Sequence, residues 1–317
     1  MSIVVKENIP LASFTIYKIG GPARFFVEVK NFDELKETLN FAAEKKLSIF
    51  ILGAGSNILV ADKGFDGLVI RMAGGELKVD GCKLTVDAGV MMAQAVLKSA
   101  QVGLTGFEWG IGIPGTVGGS IRGNAGCFGG EMSQVLESVQ VLKFKVQSEK
   151  LKVYELSNAE CHFVYRDSIF KKHSKWVIIS ATLNLKKGDP KMIQDKIKKI
   201  IAERIVKQDI GTKSCGCIFK NVSWTKKNIN REKLLTEFPE LEQFKNQPNI
   251  PASYLIDASG LKGRRVGKIF ISPKRANFFV NEGGATSEEV IALIAIAKDM
   301  VRRKYGISLE EEIQCVS

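Results

Sequence analysis

A chain of 317 residues, 45% of them hydrophobic, carries about two domains' worth of sequence and ample material for a core. Its 46 basic and 34 acidic residues give a net charge of +12. The lysines are spread over helix outer faces and do not cluster with aromatics, so a solvated basic surface that attracts small polyanions is expected, and nucleic-acid binding is not. The N-terminal MSIVVKENIP lacks a basic segment leading into a long apolar one, and Val290 to Ala297 is too short to cross a bilayer, so a soluble, cytoplasmic protein is expected.

From the N-terminus onward, Asn31 reads as the cap of a helix with Phe32, Leu35, Leu39 and Ala43 on one side. Ser48 to Leu52 reads as a short buried strand running into Gly53-Ala54-Gly55-Ser56-Asn57, after which the apolar run ILVA resumes. Bare N–H groups in such a turn form a nest for a diphosphate, the alternative being a plain tight turn. A Rossmann fingerprint is excluded because GxGxxG must open a helix, and a P-loop because no Gly-Lys-Ser/Thr follows. Short β-rich runs between Leu77 and Ala88 and through Ser138 to Val153, with a helix across Met91 to Val102, suggest an α+β fold and not regular βαβ alternation.

Gly103 to Glu131 packs ten or more glycines into one nearly uncharged segment. Glycine is used that heavily where backbone takes positive φ or approaches something closely, and the partner expected here is large, flat and phosphorylated. Two glycine segments together favour binding over a mere turn. After Gly188-Asp189-Pro190 the pattern changes to long helices. In Asp189 to Gln208, Ile193, Ile197, Ile200, Ile201 and Ile205 form the expected core stripe, with Lys191, Lys196, Lys198 and Lys199 on other sides. A polar connection runs from Asn221 to Pro251, and Thr286-Ser287-Glu288-Glu289 is a capping-box pattern opening a helix to about Tyr305. Six cysteines without a framework spacing point to reduced thiols. Cys215-x-Cys217 has no second pair, and His162 and His173 are not placed like zinc ligands, so no metal is expected.

YKIGGPA (17–23), LGAGSNILV (52–60), GIPGTVGGSIRGNAGCFGGE (112–131), YRDSIFK (165–171), SCGCIFKN (214–221), LIDASGLKG (255–263) and ANFFVN (276–281) fall in the order found in the UDP-N-acetylenolpyruvoylglucosamine reductases. The chain resembles that family from about residue 13 to 314. The resemblance implies an α+β fold with a vanillyl-alcohol-oxidase/PCMH-type, two-part FAD-binding domain and a separate α/β substrate-binding domain. The expected boundaries are 1–187 for the FAD domain (subdomains about 1–73 and 74–187, with a C-terminal strand near 306–317 returning to it) and 188–305 for the substrate domain. It further implies non-covalent FAD held by Gly53, Ala54, Gly55, Ser56, Asn57, Gly112, Ile113, Pro114, Gly115, Gly118, Gly119, Asn124, Ala125 and Gly126. NADPH would reduce FAD, and a hydride would then pass to the enolpyruvyl group of UDP-N-acetylglucosamine enolpyruvate, giving UDP-N-acetylmuramate for peptidoglycan.

Three catalytic residues carry over. Arg166 corresponds to the family's active-site arginine, whose fork suits a carboxylate and the charge that develops on it; without the motif a salt bridge would be the ordinary explanation. Strand alternation places Ile307, Leu309 and Ile313 on one face and Ser308, Glu310, Glu312 and Gln314 on the other, which alone suggests an exposed acidic edge; registration with the family selects Glu312. Where many members have a serine proton donor, this chain has Cys217. A thiol, with a free pKa of about 8.5, can protonate an enolate-like carbon at neutral pH, so Cys217 is expected to be the general acid and Cys215 a packed bystander. Tyr165, Tyr254 and Lys262 are the expected substrate contacts, although Tyr254 reads equally as a half-buried aromatic. Lys-Arg-Ala-Asn at 274–277 and Ser253-Tyr254 depart from the commoner family pattern, and the 221–251 connection is longer than in its compact branch. The alternative function is a flavin oxidoreductase acting on another small molecule; a monomer or weak homo-oligomer is expected in either case.

Overall fold

The computed structural model describes residues 3–144, 151–207 and 211–317, so the part of the expected β-rich run at 145–150 and the expected helix end at Gln208 lie outside the described residues. Two compact units emerge, each discontinuous in sequence.

The first unit comprises residues up to Ile9, then Ala23–Gly55 and Phe65–Val206. One of its sheets has the strand order Lys6–Pro10, Pro22–Val29, Phe65–Met72, Ile49–Leu52, with the last three parallel. The helix Phe32–Glu44 covers it; the Asn31 side chain accepts from the Glu34 N–H as the cap, and Leu35 and Leu39 meet Val27, Leu68 and Ile70 in the core. A second, antiparallel sheet is ordered Lys152–Ser157, Leu136–Lys143, Trp176–Asn184, Lys83–Asp87, Leu77–Asp80. Against it pack the helices Met92–Gln101, Val117–Arg122 and Pro190–Lys207, with Val96, Ile121, Ile193 and Ile197 in one cluster with Leu84, Val86 and Val139.

The second unit gathers Pro10–Pro22, Ser56–Gly64 and the C-terminal residues. The strands Arg265–Val266, Ile269–Ile271 and Phe279–Asn281 form an antiparallel sheet. The helix Ser287–Tyr305 packs on it through Val290, Leu293 and Val301. Both halves of the expected capping box are made at Thr286 and Glu289, and Gly306 ends the helix at φ 69°. Tyr17, Ile19 and Leu59, from the two early segments, lie in this same core.

Three expectations change. Residues 190–206 belong to the first unit because Ile193, Ile197 and Ile200 are buried in its core. The C-terminal strand belongs to the second unit, where Gln314–Val316 pairs in parallel with Ile58–Val60. The apolar stripe of the helix is narrower than its pattern, since Ile201 and Ile205 are 41% and 58% exposed.

Candidate active site

In the first unit the two glycine segments meet. A Cβ on Gly53 would lie 2.6 Å from the Thr116 hydroxyl, so only glycine lets the strand end Ile49–Leu52 approach the second segment this closely. Gly55 stands at φ 65° in the tight turn. The N–H groups of Ala54 and Gly55 donate to no other residue among those described, which leaves a small nest for an anion.

The second segment behaves differently. Gly115 N–H donates to Ile113, Gly118 to Ala88, Asn124 to Ile121 and Ala125 to Ser120, and Gly119 N–H is taken by the capping Thr116 hydroxyl. Several of its glycines serve close packing: a Cβ on Gly118 would meet Ala88 at 2.8 Å, and one on Gly126 would meet Glu131 at 2.6 Å. This segment therefore contributes shape more than donors. Asn124, buried at φ 42°, accepts from Ser133 N–H at 3.0 Å and donates to the Val164 carbonyl at 3.2 Å, tying the segment to the YRDS turn.

In that turn, Arg166 sits at φ 56° and donates Nη2 to the Gly126 carbonyl at 2.9 Å, while Lys171 Nζ donates to the Arg166 carbonyl at 2.6 Å. Its guanidinium also stands 5.6 Å from the ring centre of the exposed Tyr165.

In the second unit, three other expected residues converge. Asn57 Nδ2 donates to the Glu312 carbonyl at 3.2 Å, and Asn57 accepts from Gln314 N–H at 3.0 Å. Glu312 N–H in turn donates to the Ile218 carbonyl at 2.8 Å, one residue from Cys217. Glu312 therefore lies on a segment paired with the extended segment that follows Cys217 and fixed by the first glycine turn. Cys217 is half-buried and bridges Phe278 on its other side. Cys215 is buried, and burial pushes its thiol well above the usual range, as suits a packed bystander.

Tyr254 is half-buried with its ring against Phe244 at 4.8 Å, and burial, with the Glu240 and Asp257 charges, pushes its hydroxyl up. Lys262 pairs with Asp257 at 2.5 Å. Both contacts are local. Two residues with clear positions escaped sequence reasoning: Asn277, from the ANFFVN motif, and Arg204, for which no motif gave a signal.

Residues 208–316 match the family model "UDP-N-acetylenolpyruvoylglucosamine reductase, C-terminal domain", and residues 23–145 match an FAD-binding domain model. A UDP-N-acetylenolpyruvoylglucosamine reductase of Lactobacillus delbrueckii is 35% identical over 98% of this chain and 95% of its own length. One of Anoxybacillus flavithermus is 36% identical over 98% and 94%. The chain belongs to the UDP-N-acetylenolpyruvoylglucosamine reductase family. The crystal structure of a reductase of this family, MurB from Thermus caldophilus, superposes with a TM-score of 0.75 at 32% identity, covering 99% of this chain and all of that one. The family's architecture, an FAD-binding domain with a separate C-terminal domain in a mixed α and β fold, is therefore this chain's. FAD fits the first unit: the open N–H pair at Ala54 and Gly55 suits a diphosphate.

Proposed function

We propose that the chain reduces UDP-N-acetylglucosamine enolpyruvate to UDP-N-acetylmuramate with NADPH, in the cytoplasm, as a step of peptidoglycan precursor synthesis. The observation that carries this reading is the placement of Cys217 and Glu312 on paired segments, with Asn57 of the first glycine turn holding the Glu312 backbone. When bound, FAD supplies the redox capacity, taking a hydride from NADPH and delivering one to the enolpyruvyl double bond.

The chain's residues do the rest. Ala54, Gly55 and the neighbouring glycines hold the diphosphate and let the cofactor approach the backbone. Arg166, with its guanidinium anchored at Gly126, binds the substrate carboxylate and stabilises the negative charge that spreads onto it as the double bond is reduced. Cys217 gives its thiol proton to the carbon next to the one that received the hydride, which completes the addition of H⁻ and H⁺ across the bond. Glu312 lies on the segment paired with the one after Cys217 and assists that proton transfer. Tyr165, Tyr254 and Lys262 are proposed to contact the nucleotide portion of the substrate. The first unit is the cofactor-binding body, and the substrate is read mainly by the C-terminal one.

Anaerobic spectrophotometry tests this. NADPH should bleach the flavin of the purified protein, and UDP-N-acetylglucosamine enolpyruvate should restore its colour at once. Bleaching without recovery would leave a flavin oxidoreductase with a different substrate.

A further inference from the structure

Arg204, on the helix Pro190–Lys207, is 6% exposed and reaches into the glycine segment of the first unit. Its Nη2 donates to the Cys127 sulfur at 2.8 Å, and its guanidinium stands 5.2 Å over the Phe128 ring. Its Cδ would be 2.9 Å from a Cβ placed on Gly112. One side chain thus lies against two parts of the segment: the Gly112 turn at φ 77° and the hairpin formed by Gly126–Cys127 and Gly130–Glu131.

That hairpin has a reason to need a clamp. Both central residues of its turn, Phe128 at φ 51° and Gly129 at φ 79°, are left-handed, and a bulky residue there costs about 1–2 kcal/mol. The guanidinium over the ring offsets part of this cost. Cys127 is fixed from a second side, since its thiol donates to the Trp109 carbonyl at 3.0 Å. The base of the hairpin is Gly126, whose carbonyl receives Arg166 Nη2. Contacts therefore run without a break from Arg204 through Cys127 and Gly126 to Arg166. A lysine could supply the charge but not a guanidinium that reaches both the Phe128 ring and the Cys127 sulfur with separate atoms.

We propose that Arg204 is a positioning residue that closes the flavin-binding glycine segment and, through the Cys127 hairpin, sets the carbonyl that anchors Arg166. The Arg166 half of this inference rests on the function proposed above; the flavin half does not. The test uses FAD-loaded parent protein and the variants Arg204→Met, Arg204→Lys and Cys127→Val. It reads FAD dissociation by flavin fluorescence, the visible circular dichroism of the bound flavin, and its return of colour with the UDP-sugar. Arg204→Met should weaken FAD binding roughly tenfold or more and change the flavin dichroism, with partial recovery when methylguanidinium is added. Arg204→Lys should fall between Arg204→Met and parent. FAD affinity and dichroism of Arg204→Met within twofold of parent would overturn the proposal. If Arg204→Met does not fold, Cys127→Val decides: weakened FAD binding supports the clamp, and parental binding overturns it. A parent that binds and bleaches but is not reoxidised by the UDP-sugar would remove the substrate reading, and the flavin measurements would still decide the role of Arg204.

Discussion

Asn277 grips Phe219 by both of its backbone groups: its Oδ1 accepts from the Phe219 N–H at 2.9 Å, and its Nδ2 donates to the Phe219 carbonyl at 2.7 Å. Its own carbonyl accepts from Ile218 N–H at 2.9 Å, so the segment after Cys217 is held by one buried side chain and its backbone. Asn277→Ala would leave both Phe219 groups unsatisfied in the core, at a cost of about 2–4 kcal/mol. Urea unfolding checks this, and Asn277→Asp, which keeps the acceptor and loses the donor, should fall between the two.

Cys217→Ala should leave bleaching by NADPH at the parental rate and slow the return of colour about 10²- to 10⁴-fold, the range of a lost general acid. Cys217→Ser should recover part of the loss. Stopped-flow absorbance separates the two half-reactions; an unchanged second phase in Cys217→Ala would remove the proton-donor role.

Arg166, proposed above to bind the substrate carboxylate, has a left-handed backbone. Arg166→Gly relieves the conformation and Arg166→Ala does not, so the glycine variant should be the more stable by about 1 kcal/mol although both lose the guanidinium. Equal melting temperatures would show that φ 56° carries no strain.

Glu108 sets an acid limit on the first unit. Burial pushes its carboxyl up, but hydrogen bonds from the Thr105 hydroxyl, Gly106 N–H and Lys196 Nζ outweigh burial and hold it below the usual carboxylate value. A lowered folded pKa means that this stabilisation is present above the unfolded pKa and is lost as pH falls through the folded one. The stability gap between parent and Glu108→Gln, about 1 kcal/mol near pH 7, should therefore shrink on acidification below about pH 4. Denaturant titrations at a series of pH values measure it.

The thiols should sort by burial. Burial, with the Glu160 charge, pushes Cys161 up to about 12, and Cys215 is raised further in the same way, so both remain S–H at pH 8. Iodoacetamide followed by peptide mass analysis should leave Cys161 and Cys215 unmodified in the native protein and label them in urea, while the exposed Cys315 reacts without urea.

Much of this was legible in the residues. The Asn31 and Thr286 caps and the strand leading into Gly53 announce themselves by local rules of hydrogen bonding and period, and the structure has them where those rules put them. The α+β class followed from the same patterns. Long-range geometry was not legible. Ile201 and Ile205 carry a helical stripe but face outward, because periodicity does not say how wide the covering surface is. Nothing in ILV at 58–60 announces a parallel partner more than two hundred residues later at Gln314–Val316. No motif or period in the sequence marks Arg204, and only the fold shows it turned inward.

The interleaving of the two units bears on how the chain is made. Tyr17, Ile19 and Leu59 leave the ribosome early, yet the core they complete contains Ile307, Leu309 and Ile313, and the partner strand of Ile58–Val60 ends at Val316. The second unit cannot close until Gln314–Val316 has been made, and its N-terminal segments must wait with apolar surface uncovered while the first unit is already able to assemble. A fragment cut to residues 207–317 lacks those early segments and should emerge as an aggregating chain, so the C-terminal part is a unit of sequence recognition without being a unit of folding.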